Sequence, residues 1–210
     1  MTVAFAILTF LVVTVPTFSI DLKITHGLQS INNSFFSWLM TFISWAGISP
    51  QSFIITAIII VLIYVLGYHW EAAASLIAAS TVELLNLLIK ALVHRVRPSV
   101  NLVHVTSLLK SYSFPSGHVM FYIGFFGFLC FLIFTILKPS WLRTSMLVIF
   151  GGHVVLVGIS RIYLGEHWPS DVAGAYLLGG LCLIGYIQLY RWGKARFFVQ
   201  QPIARANKPV

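Results

Sequence analysis

SRIYLGEHWPSD, residues Ser160 to Asp171, joins two long apolar runs, 144–160 and 172–190. It places an arginine, a histidine and an aspartate in one short connection. Charge is scarce in this chain: of 210 residues only five are acidic, and Glu166 and Asp171 both fall in this stretch. Two more polar clusters, Lys90 to Pro98 and Pro115 to His118, also sit at the edges of apolar runs. The fold follows from what those runs are, and the chemistry from what the clusters do when brought together.

Working outward, the chain is 59% hydrophobic and 9% charged, with a mean hydropathy of +0.93. Soluble domains are roughly a quarter charged, so the composition is that of an integral membrane protein. Apolar runs cover residues 3–20, 53–68, 72–89, 119–137, 144–160 and 172–190. Each is close to the ~20 residues a helix needs to cross a bilayer. Backbone groups cannot go unpaired in hydrocarbon, so the expected fold is all-α, a polytopic membrane protein with six transmembrane helices. The first run lacks the basic start and small-residue cleavage site of a signal peptide and reads as a retained helix. Between the first two runs, Ile31, Phe35, Trp38, Phe42 and Trp45 recur three and four apart, with Asn32, Asn33, Ser37, Thr41 and Ser44 on much of the other side. That pattern fits an amphipathic interfacial helix as well as an early start of the second span. No internal repeat is present. Residues 1–199 are read as a single domain and 200–210 as a flexible cytoplasmic tail. Cys130 and Cys182 lie inside apolar runs and read as free thiols; no residue spacing suggests a metal site.

Six spans put both termini on one side and the connections 21–51, 90–118 and 161–171 on the other. The terminal side carries Lys138, Arg143, Arg191, Lys194, Arg196, Arg205 and Lys208; the opposite side carries Lys23, Lys90, Arg95, Arg97, Lys110 and Arg161. Setting aside Lys90, Arg97 and Arg161 as members of the polar clusters leaves seven against three. The positive-inside tendency then puts the termini in the cytoplasm and the clusters outside. The formal charge of +8 reads as topology and head-group attraction, not as a nucleic-acid surface.

Each cluster suits a phosphate. Lys90 and Arg97, seven apart, share a helix face if the helix runs that far, and Pro98 helps to end it. They offer a point charge and a planar fork of donors, although ordinary flanking cations would look the same. Ser116 is a helix N-cap candidate, and Gly117 leaves backbone N–H groups accessible at a helix start, where anions bind. His118, in the first turn, is within reach of a leaving oxygen or is merely interfacial. Pro169 fits the first turn of the last helix, which leaves His167 and Asp171 four apart. The carboxylate can then orient the imidazole and activate its other nitrogen, or simply cap the helix.

In their order and on this topology, Lys-x6-Arg-Pro, Pro-Ser-Gly-His and Ser-Arg-x5-His-x3-Asp resemble the type 2 phosphatidic acid phosphatase family, related to the vanadium haloperoxidases. The resemblance covers roughly residues 50 to 190, and every motif position is filled. It implies a metal-independent lipid phosphatase without cofactor, in which His167 attacks phosphorus to give a phosphohistidine. Asp171 would orient His167, and His118 would protonate the leaving alkoxide. Lys90, Arg97, Ser116, Gly117 and Arg161 would hold the phosphate oxygens, and water would hydrolyse the phosphoenzyme. The implied substrate is a membrane lipid phosphate, either phosphatidylglycerol phosphate or phosphatidic acid, or alternatively undecaprenyl diphosphate. The short loops suit a small bacterial member in the cell membrane.

Two other classes compete. Vanadate-dependent halide oxidation is opposed by the six spans, because the peroxidases are typically soluble. Non-catalytic lipid binding is opposed by the presence of both histidines and the aspartate. Glu83 and Asn86 fall on the Lys90 face of their helix, and Glu83 is expected to support the site or bond a neighbouring helix. Gly124, Gly127, Gly174 and Gly185 are expected at close helix contacts.

Overall fold

The computed structural model describes residues 1–15 and 17–198, and these are all helix, turn and loop. The helices are α1 (Thr2–Thr14), α2 (Ser19–Gln29), α3 (Ser34–Trp45), α4 (Gln51–Val65), α5 (His69–Val93), α6 (Gly117–Ile136), α7 (Trp141–Tyr163) and α8 (Pro169–Gly193). Around Tyr122–Phe126, α6 widens into a π-helical turn. The expected tail at 200–210 falls outside the described residues.

The six apolar runs become helices of unequal length. By length and composition α5, α6, α7 and α8 can each cross a bilayer. The first run does not continue as one helix to residue 20. It stops at Thr14, with Val15 extended ahead of Pro16, as expected of a residue before proline. The chain resumes as α2 at 95° to α1, so only the two together, as a bent pair, are long and apolar enough to cross a bilayer. With 15 residues, α4 is shorter than the other spans.

The central helix is α6: 61% of its apolar window is buried, against 17–28% for α5, α7 and α8. Val119, Met120, Phe121, Tyr122, Phe125 and Phe126 form the middle of the core, reached by Val82 of α5, Val157 of α7 and Val172 and Ala175 of α8. A helix that is apolar all round belongs in such a position. The packing is close. A Cβ on Gly124 would lie 2.9 Å from Val82, and one on Gly174 would lie 2.4 Å from Phe114. Gly185, by contrast, has open space beside it.

Residues 34–45 form a helix of their own, separated from α4 by residues 46–50. Met40, Ile43 and Ser44 of α3 are buried, while Phe35, Trp38, Phe42 and Trp45 are exposed. The buried face is tied to the bundle through Ser160 Oγ, which donates to Met40 O at 2.8 Å, and Tyr122 Oη, which donates to Ile43 O at 2.5 Å.

The two connections that carry the three polar clusters, after α5 and after α7, meet at one end of the bundle, joined there by the end of α2. Gln29 Nε2 donates to His104 O (2.7 Å) and Tyr163 O (3.0 Å). Thr106 N donates to Leu164 O at 3.0 Å. Gly165 makes this convergence possible: its φ is +68°, and a Cβ there would fall 1.9 Å from His104 O.

Candidate active site

The link between α7 and α8 is built locally. Glu166 N and His167 N both donate back to Arg161 O (3.2 and 3.3 Å), folding the link over the end of α7. Pro169 is the first residue of α8, and Asp171 Oδ2 accepts from Trp168 N at 2.9 Å, so the aspartate caps its own helix. This leaves His167 and Asp171 1% and 0% exposed, with Nδ1 of the histidine 3.4 Å from Oδ2. Asp171 does more than cap. It also accepts from Ser113 Oγ at 2.5 Å and from Arg95 Nη1 at 2.6 Å.

Arg97 faces the other edge of the same imidazole. Its Nη1 donates to Glu166 O at 2.6 Å and lies 3.2 Å from His167 Nε2. Its remaining donors go to Ser111 O (2.7 Å), Ser111 Oγ (2.9 Å) and Tyr112 O (3.3 Å). With an N–H aimed at Nε2 and a carboxylate beside Nδ1, the ring is held from both sides. Burial, and then the neighbouring charges of Arg97, Lys90 and Arg161, hold the His167 pKa well below the usual imidazole range. The ring is therefore neutral near pH 7, with an available lone pair.

The other expected residues surround this pair. Arg161 is 1% exposed; its Nη1 donates to Ser44 Oγ of α3, it is ion-paired with Glu166, and its Nε has no hydrogen-bond partner. Lys90 is buried in the last turn of α5, and no carboxylate lies within salt-bridge distance of it among the described residues. Ser116 is the N-cap residue of α6, as expected, but its side chain does not cap the helix. Instead its Oγ is buried without a partner. The backbone of the Pro115–Gly117 turn is held by Asn86 Nδ2, which donates to Pro115 O at 3.2 Å, and Asn86 Oδ1 would lie 3.0 Å from a Cβ on Gly117. His118 has a buried, unpartnered Nε2 and lies within electrostatic reach of Arg161, His167, Lys90 and Arg97. A Cβ on Gly47 would come 2.5 Å from His118 Cδ2, so the turn that follows α3 packs against the ring.

Several residues were missed. Arg95, grouped with the topology cations, is 4% exposed and ion-paired with Asp171 and Asp21. Its presence inside a motif cluster, in a chain with so little charge, was the available signal. Asp21, one of the five acids, carried the same signal. Ser44 was read as part of a polar face, and nothing marked Gly47 or Ser113. Glu83, half-buried, makes no hydrogen bond or ion pair among the described residues, so the expected bond to a neighbouring helix is not made; Asn86, on the same face, holds the Pro115 turn.

A family model described as the PAP2 superfamily matches residues 68–195. Phosphatidylglycerophosphatase B of Bacillus subtilis (strain 168) is 34% identical over 165 residues, 77% of this chain and 78% of its own length. The undecaprenyl-diphosphatase of Sulfolobus acidocaldarius is 36% identical over 94 residues, 43% of this chain and 41% of its own length. Among solved structures, the transmembrane PAP2-type phosphatidylglycerolphosphate phosphatase from Bacillus subtilis superposes with a TM-score of 0.81 at 29% identity, covering 93% of this chain and 96% of that one.

Proposed function

Because this chain belongs to the PAP2 superfamily and is a multi-pass membrane phosphatase of that family, we propose that its buried cluster hydrolyses a lipid phosphate through a phosphohistidine on His167. The observation that carries this reading is the arrangement around the ring: a neutral imidazole fixed by Asp171 on one nitrogen, with cations and unpartnered donors gathered about the other. His167 Nε2 attacks phosphorus and the P–O bond to the lipid breaks. The leaving oxygen takes its proton from His118, whose Nε2 has no protein partner. Lys90, Arg97, Arg161, the Ser116 hydroxyl and the Gly117 N–H take the three phosphoryl oxygens, where charge grows in the transition state. Arg97 must exchange its contact with Nε2 for one to a phosphoryl oxygen, because the attacking lone pair has to be free. Water then attacks the phosphohistidine, His118 accepts the water's proton, and phosphate leaves.

The substrate is a phosphatidylglycerol phosphate or phosphatidic acid, in line with the relative of matching length. The second reading is undecaprenyl diphosphate, favoured by the undecaprenyl-diphosphatase relative; the leaving group is then the lipid monophosphate. The site faces outward and the termini lie in the cytoplasm. The burial of Arg95 supports this orientation: once it joins the site residues, only Lys23 and Lys110 of the opposite-side cations remain, against the seven on the terminal side.

Phosphate release by the purified protein in detergent with EDTA tests the reading, using phosphatidylglycerol phosphate, phosphatidic acid and undecaprenyl diphosphate. Release that disappears in His167→Ala is expected, and relative kcat/KM values choose the substrate. A folded protein that releases phosphate from none of them, or a fully active His167→Ala, would contradict the reading.

A further inference from the structure

A second carboxylate stands behind the catalytic pair. Asp21, in the first turn of α2, is 1% exposed. Its Oδ2 accepts from Arg95 Nη2 at 3.0 Å and Ser170 Oγ at 2.5 Å, and its Oδ1 accepts from Ser170 N at 2.9 Å. The other arm of Arg95, Nη1, donates to Asp171 Oδ1 at 2.6 Å and to Ser170 Oγ at 2.7 Å. One guanidinium therefore bridges two buried carboxylates, and the trio keeps one net negative charge. Asp21 lies far outside the three motif clusters and the family-matched segment 68–195.

A clamp that only tied α2 to α8 would be a poor use of buried charge. Desolvating ions is costly, and a well-packed apolar contact stabilises at least as well. The trio does something an apolar clamp cannot. Arg95 alone against Asp171 would form a neutral pair, leaving Asp171 a weak acceptor for the His167 Nδ1–H and a weak partner for the cationic phosphohistidine. Asp21 takes half of the Arg95 fork, so Asp171 retains negative charge toward His167. Arg95 at the same time fixes Oδ1, which leaves Oδ2 directed at the ring.

We propose that Asp21, acting through Arg95 and Ser170, is a positioning residue that sets the orientation and negative charge of Asp171. The inference rests on the reading of His167 as nucleophile. The test uses the full chain in detergent and measures kcat and KM for phosphate release, with folding followed by size exclusion and thermal unfolding. Outer partners that orient a metal-bound histidine contribute about 10–100-fold, and a partner that orients a reacting one through the same kind of contact is expected on that scale. Asp21→Asn is expected to lower kcat by about that factor with KM within ~2-fold, and Asp21→Glu, which keeps the charge, to restore most of the rate. In an Asp171→Asn background, Asp21→Asn is expected to have no further effect. Ser170→Ala keeps every charge and is expected to lower kcat more mildly, again only when Asp171 is present; it carries the test if Asp21→Asn does not fold. A loss confined to thermal stability, or an equal loss with and without Asp171, would overturn the inference. An active His167→Ala would instead overturn the nucleophile reading on which it rests.

Discussion

Replacing Gly47 by alanine tests the proposed acid from a residue with no chemistry of its own. The added Cβ would lie 2.5 Å from His118 Cδ2 and 2.8 Å from Tyr122 Cε2, whereas carbon atoms rest about 3.5–4.0 Å apart. Tyr122 cannot give way, because it is fully buried and its hydroxyl is held by Ile43 O at 2.5 Å. The imidazole of His118 must therefore move by about 1 Å, and misplacement on that scale costs roughly 10²-fold. A general acid contributes about 10²–10⁴-fold when the leaving oxygen needs a proton. The expected result is a loss of about 10² in kcat/KM on phosphatidic acid, whose leaving group is an alkoxide. The loss of kcat/KM on p-nitrophenyl phosphate, whose leaving group needs no proton, should be much smaller, because kcat/KM reports only the steps up to the phosphohistidine and not the shared hydrolysis in which His118 acts as base. Gly47→Ala should add nothing in a His118→Ala background. Equal losses of kcat/KM on both substrates, with the protein shown to be folded, would refute the reasoning, as would unchanged kcat/KM on the lipid.

Three other outcomes are expected. Ser116 Oγ has no protein partner, so Ser116→Ala should leave thermal stability nearly unchanged while lowering kcat/KM about 10–100-fold, the worth of ~1.5–3 kcal/mol for a hydrogen bond to a charged group. His167, ring-labelled and followed by NMR, should titrate below the usual ~6.5 of imidazole, because burial and then the Arg97, Lys90 and Arg161 charges disfavour its cation. Arg97→Ala removes one of those charges, so the midpoint should rise, and a fall would contradict the assignment. At the opposite end of the bundle, Glu71 accepts from Tyr190 Oη (2.9 Å) and Lys194 Nζ (2.5 Å). Glu71→Ala removes both bonds and leaves the buried Tyr190 hydroxyl without its acceptor, and should cost about 1–3 kcal/mol of stability, measured by thermal unfolding, with kcat of the folded protein unchanged.

What could be read from the sequence was local. The aromatic spacing from Phe35 to Trp45 marked α3, because an amphipathic face repeats every three to four residues. Its separation from α4 could not be read the same way, since Ile48 and the apolar α4 continue the hydropathy. Hydropathy alone carries the first run through to residue 20, whereas α1 ends at Thr14, two residues before Pro16. At the site, motif spacing brought His118, His167, Asp171 and the residues proposed to hold phosphate into view, whereas their supports lie far along the chain. Asp21 meets Ser170 across 149 residues, and Ser44 meets Arg161 across 117. Such pairings depend on how helices pack, and no local period encodes them. Gly47 is the extreme case: its role is the absence of a side chain beside His118, visible only once α3 has docked.

The nucleophile is tested most directly by trapping the covalent intermediate. The protein would be mixed with ³²P-labelled phosphatidic acid and quenched within a single turnover, and the labelled residue located by peptide mapping. A phosphoryl group on His167, stable to alkali, labile to acid and lost in His167→Ala, is the expected result. Phosphate release with no labelled protein at any quench time, or label on another residue, would contradict catalysis through a phosphohistidine at His167.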